Sequence, residues 1–218
     1  MGASVADRAG VVDKVGAILD ALEAGPATLS DLMAATGLPR ATAHRLAVAL
    51  GRHGLVGRDD AGRFVLGLRL ISLGHAAARA LPLRALAQPA LEALRDETGE
   101  GVQLYVAEEA GRRCVLSLQS PHGLRWIVPE GALLPFDRGS AGHVLAADGT
   151  ADATWVESVE EREPGVASVS AGVRGPGGAV IAAVSVSGPV ERLSRTPGAR
   201  FGDAVVAAAR SVEAALAG

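Results

Sequence analysis

Arg40, Thr42, His44 and Arg45 crowd together in the segment ATGLPRATAHRLAVAL, residues 35–50. Guanidiniums, a hydroxyl and an imidazole at this spacing have the chemistry of polyanion recognition. An arginine fork bonds a phosphate or a guanine edge bidentately. A hydroxyl near a helix N-terminus can donate to a phosphate. On a helix, Arg40, Ala41, His44 and Arg45 share one arc, while Ala43, Leu46, Ala47 and Leu50 share the opposite one. Arg58 and Arg63 follow closely. A second group lies far along the chain. Gly139-Ser140-Ala141-Gly142 opens a helical run, where free backbone N–H groups form an anion site and small side chains leave a carboxylate room to approach. Ser185 and Ser187 alternate along an apolar run and so project from one side of a strand, either into a site or into solvent.

Other chemistries lack their residues. The histidines at 44, 53, 75, 122 and 143 show no HxH or HExxH spacing, so no metal site is expected. No GxSxG elbow is present. Cys114 sits beside Val115 and Leu116 and reads as a buried strand cysteine. Glu161 and Glu163 flank Arg162, which reads as a solvated charged loop rather than a carboxylate dyad. GPGG, 175–178, lies between strands and is no nucleotide loop. No catalytic residue, metal or cofactor is expected, and the chain is read as a non-enzyme.

The elements that must position the arginines follow from periodicity. Val12, Val15, Leu19 and Leu22 mark a first helix that Gly25-Pro26 ends. TLSDL supplies a Thr28 cap with Asp31 three residues on, opening a short second helix. Gly37 suits its left-handed C-cap, and Pro39 the first turn of a third helix. The break inside 35–50 is thus the tight turn of a helix-turn-helix, whose third helix faces the major groove. Strands at 55–58 and 63–66, with Gly62 in the turn, make a wing whose Arg58 and Arg63 suit backbone contacts. An ordinary three-helix module with a hairpin is the alternative. Cap, turn, arginine placement and wing together favour DNA.

Residues 68–81 read as a helix with Leu70, Ile71, Leu73 and Leu81 spread around it, which needs more than one neighbour: a second copy of the chain, or burial within one. A helix over 83–98 follows. Apolar runs at 102–107, 114–118, 124–128, 166–173 and 180–187 predict a sheet of about five strands. EEAGRR and GPGG are hairpin connections, and an amphipathic helix from Phe201 to Leu216 covers the sheet.

The 218 residues are 49% hydrophobic, enough for a packed core. No apolar run reaches the roughly 18–20 residues of a membrane helix. The start, MGASVADRAGVVDK, does not read as a secretory leader, and a single cysteine fits a reducing cytoplasm. Residues 40–63 hold five arginines against two aspartates, whereas 82–218 hold 12 arginines against 17 acids. An acidic body with a local basic patch points to a polyanion at one end.

The segments LPRATAHRLAVALGRHGLVGRD and GRFVLGLRLISLG, with GALLPFDRGSAGHVLAA, EEREPGVASVSAGV and VIAAVSVSGPVERL, resemble the IclR family of bacterial transcriptional regulators over roughly residues 10–216. The resemblance implies an α+β chain: a winged helix-turn-helix DNA-binding domain at 1–66, a linker helix at 67–81 and a GAF-like effector-binding domain at 82–218. It implies homodimers, often dimers of dimers, on a double-stranded DNA operator, with repression the commoner mode and a small-molecule effector, a carboxylate by preference. It places the effector at Ser140 and Ala141, with Leu134 and Phe136 as an apolar wall and Ser158, Ser168, Ser185 and Ser187 in the pocket. The chain departs from the family pattern at His143, where a lysine is usual, and at Gly172, where a proline is usual. Between Ala147 and Trp155 only DGTADAT stands where a helical segment is typical, so the effector domain reads as shortened. An adaptor that has lost its ligand and acts through protein contacts is the alternative.

Overall fold

The structure is a computed structural model and describes residues 10–146 and 154–217. The shortened segment expected at 148–154 falls, but for its last residue, outside the described residues. The chain forms two compact units that divide between Ala78 and Arg79.

In the first unit, α1 (Val11–Glu23), α2 (Leu29–Thr36) and α3 (Arg40–Arg52) precede a hairpin of β1 (Val56–Arg58) and β2 (Phe64–Leu66). Thr28 caps α2: its hydroxyl accepts the Asp31 N–H, and the Asp31 carboxylate accepts the Thr28 N–H at 2.8 Å. These hydrogen bonds, the Thr28 hydroxyl first, hold the Asp31 carboxyl below its ordinary value. Gly37 ends α2 at φ 68°, a left-handed conformation that glycine adopts without a Cβ penalty. Thr36 donates to the Leu32 carbonyl and accepts the Leu38 N–H, fixing the turn. Pro39 is the N-cap of α3 rather than part of its first turn, and its carbonyl accepts the N–H groups of Thr42 and Ala43. Ile18, Leu22, Leu32, Leu38, Ala43, Ala47, Leu50, Val56 and Phe64 form the core. Phe64 pairs with Ala27, which ties the hairpin to the helices. Then comes α4 (Arg69–Arg79), whose Ile71 and Leu73 are 57% and 45% exposed, with Leu68 just before it at 83%.

The second unit begins with α5 (Pro82–Thr98). A six-stranded antiparallel sheet follows: β3 (Gly101–Glu108), β4 (Gly111–Leu118), β5 (Leu133–Leu134), β6 (Val156–Val159), β7 (Val166–Arg174) and β8 (Val180–Pro189), in the order β5-β4-β3-β8-β7-β6. Between strands lies α6 (Ser140–Ala146); α7 (Val190–Leu193) and α8 (Pro197–Ala217) close the unit. Both expected hairpins form. The run at 124–128 is no strand; the sheet instead gains β5 and β6. Alternation divides the sheet chemically. Val102, Leu104, Val169, Ala171, Val184 and Val186 pack against α5 and α8. Tyr105, Cys114 and Ala183 meet Ala141 and Val144 of α6 on the other face. A register shift between Leu104 and Tyr105 sends Cys114 and Leu116, two apart on β4, to opposite faces.

Candidate nucleic-acid interface and ligand cleft

On α3, Ala43, Ala47 and Leu50 are buried, which turns the opposite arc outward. Arg40, Ala41, His44 and Arg45 are exposed, and Thr42 is half-buried. No hydrogen bond or ion pair engages the side chains of Arg40, His44 and Arg45 among the described residues. Two guanidiniums and an imidazole thus stand unpartnered at the N-terminal end of a helix, where the backbone dipole adds positive potential.

The wing arginines are engaged within the hairpin. Arg63 forms an ion pair with Asp59 at 2.7 Å. Arg58 donates to the Gly62 carbonyl at 2.5 Å and lies over the Phe64 ring, 4.1 Å from its centroid. Gly62, at φ 76°, makes that turn. Asp59 also accepts the Ala61 and Arg63 N–H groups, so the wing tip is braced before any ligand arrives.

In the second unit, six of the expected pocket residues line one cleft: Ser140, Ala141, Ser158, Ser168, Ser185 and Ser187. Strand register builds its floor. Ser158 lies opposite Ser168 and Ser168 opposite Ser187; Ser170 lies opposite Ser185, which faces Gln103. The Ser140 hydroxyl bonds those of Ser168 and Ser170 at 2.7 Å each, and Ser187 donates to Gln103 at 2.8 Å. Ser185 and Ser187 are buried, so their alternation does not mark a solvent face. Leu134 and Phe136 do not line the cleft. Leu134 packs behind it against the Tyr105–Cys114 cluster, and the Phe136 carbonyl abuts Gly142.

The cleft holds cations that sequence reading missed. Arg112 on β4 is 2% exposed. Its Nη1 donates to the Pro135 carbonyl, and its Nε has no acceptor. Its guanidinium lies 5.4 Å from the Tyr105 ring centroid. Burial pushes the guanidinium down from its ordinary value. Arg162 enters from the β6–β7 loop and lies 5.1 Å from the Trp126 ring centroid. Burial raises the Tyr105 phenol far above its ordinary value and pushes the Cys114 thiol up to about 12, so both stay protonated. Among the described residues, no aspartate or glutamate lines the cleft. Its free volume is about 30 Å³, room for about one or two waters.

The start of α6 differs from expectation. Glu161 accepts the Gly139 N–H at 2.9 Å and bonds the His143 imidazole at 2.7 Å, so the chain's own carboxylate serves that helix end. Burial pushes the Glu161 carboxyl up, but Gly139 and His143 together outweigh it and hold the group below its ordinary value. The small residues there make room for a protein cation: a Cβ on Gly142 would come within 2.5 Å of Arg112 Nη1. Glu161 is thus no free loop charge.

Comparison with known proteins agrees with both units. Residues 11–60 match the model of the IclR helix-turn-helix domain, and 150–214 that of the bacterial transcriptional regulator IclR C-terminal domain. The glycerol operon regulatory protein of Streptomyces coelicolor is 30% identical over 77% of this chain and 79% of its own length. The transcriptional repressor IclR of Escherichia coli is 25% identical over 89% of this chain and 84% of its own. The crystal structure of an IclR homologue complexed with 4-hydroxybenzoate, from Microbacterium hydrocarbonoxydans, superposes with a TM-score of 0.80 over 95% of this chain and 99% of that one, at 22% identity.

Proposed function

Because this chain belongs to the IclR family of bacterial transcriptional regulators, we propose that it is a cytoplasmic repressor, a homodimer that reads a pseudo-palindromic operator and responds to a small anionic effector. Residues 1–66 bind DNA, 67–81 link and dimerise, and 82–218 sense the effector. Arg40, Ala41, Thr42, His44 and Arg45 meet the major groove, with Arg58 and Arg63 near the backbone. The observation that carries this reading is the exposed, unpartnered set of Arg40, His44 and Arg45 on the outer arc of α3. Arg58 and Arg63 serve less as free charges than as the frame of a rigid wing.

In the cleft, Ser140, Ala141, Ser158, Ser168, Ser185 and Ser187 supply polar walls. Arg112 and Arg162 supply the charge that α6 was expected to supply. That the Microbacterium homologue is complexed with a carboxylate supports an anionic effector. An adaptor without a ligand is disfavoured, since it leaves the buried Nε of Arg112 without an acceptor among the described residues. Effector binding biases one of two arrangements of the linker and so alters operator affinity. The test is footprinting on genomic DNA, followed by titration of metabolites against the footprinted complex. Binding to one palindromic site, released by an anionic metabolite, is expected; uniform binding to all DNA refutes specific recognition.

A further inference from the structure

We propose that the cleft takes a compact dianion, held between Arg112 and Arg162, in preference to a simple monocarboxylate; this rests on the effector reading above. The inference comes from the charges on its wall. Among the described residues, two guanidiniums line the cleft and no carboxylate does.

Arg112 is buried, with one edge on the Pro135 carbonyl and Nε lacking an acceptor. An oxyanion completes such a fork. Neighbouring hydroxyls do not solve this: Ser140, Ser158 and Ser168 bond one another, and Ser187 bonds Gln103. The nearby acids are otherwise placed. Asp137 is exposed; its charge favours that of Arg112 without a salt bridge between them among the described residues. Glu161, beside Arg162 in sequence, is turned onto Gly139 and His143. Glu163 is exposed. Arg162 lines the cleft with its guanidinium over the Trp126 ring.

Two like charges in a water-poor space repel each other, and a buried charge without a counter-charge is costly. One carboxylate neutralises one of them and leaves the other. A ligand with two negative charges neutralises both. The cleft is narrow, which favours a compact anion, such as a short dicarboxylate or a phosphate group, over a bulky one.

The experiment is calorimetric titration of the full chain with acetate, malonate and inorganic phosphate at one ionic strength, on wild type and on Arg162→Gln. Malonate or phosphate should bind wild type about tenfold more tightly than acetate or better, the scale of one added charged hydrogen bond. Whichever binds more tightly names the dianion's chemistry. In Arg162→Gln that advantage should shrink to about twofold. Acetate binding as tightly as both dianions, or an advantage that survives Arg162→Gln, overturns the inference and leaves the effector reading standing. No binding of any anion, with an unmoved melting temperature, overturns both.

Discussion

Arg45 and Arg112 are both arginines whose roles follow from what surrounds them. Arg45 is exposed, and its helix arc was legible from residues 35–50 alone, because buried alanines and leucines at helical spacing fix the opposite side. Arg45→Ala should leave the fold intact and cost about 1–3 kcal/mol of operator affinity. Gel-shift titration at fixed salt checks this; unchanged affinity removes Arg45 from base readout. Arg112 was not legible. GRRCVL offers two adjacent arginines, and period-two reading from the core residue Leu116 would place Arg112 on the helix-covered face. The register shift opposite Tyr105 reverses that parity, and nothing in the β4 sequence announces it. The one available signal was the glycine pair at 139 and 142, which sequence reading assigned to a ligand and which in fact accommodates Arg112.

Among the elements, helices with a cap and an apolar stripe were read to within a few residues, since those signals are local. Strands were harder. The 124–128 run is apolar enough, but it lies between Pro121 and Pro129 and sends Trp126 into the cleft instead of pairing. The polar VESV pairs as an edge strand because β7 offers it a partner, a long-range fact. Two predictions belong to α6. Gly142→Ala puts a methyl against Arg112 and the Phe136 carbonyl. Thermal unfolding should report a loss of about 1–3 kcal/mol, the usual cost of overpacking; an unchanged midpoint means the helix moves aside freely. The second concerns the Glu161 link to Gly139 and His143. Its carboxyl lies below its ordinary value of 4.5 in the native state. The link's contribution is therefore full above that value and is lost as pH falls through the lower native one. Melting temperature should drop more steeply below about pH 4.5 in wild type than in Glu161→Gln; parallel curves refute the link.

At the scale of the whole molecule, the proposed assembly turns on α4. Leu68, Ile71 and Leu73 are large apolar side chains left uncovered on more than one side at and beside the start of α4. In the homodimer proposed above, a second copy of the chain covers them, which suits a two-fold operator. The double variant Ile71→Glu, Leu73→Glu should sediment as a monomer and lose operator affinity, while keeping anion binding in the cleft. A dimer unchanged by these charges transfers assembly to the second unit.

The floor of the cleft is a lattice of hydroxyl rotors. Each serine there can turn its proton to give or to receive without moving a heavy atom. The same floor therefore greets a ligand's hydroxyl, carbonyl or amide with equal ease, by permuting proton orientations along the row. Discrimination among ligands of similar size then falls to the two fixed cations, whose sign no rotation can reverse.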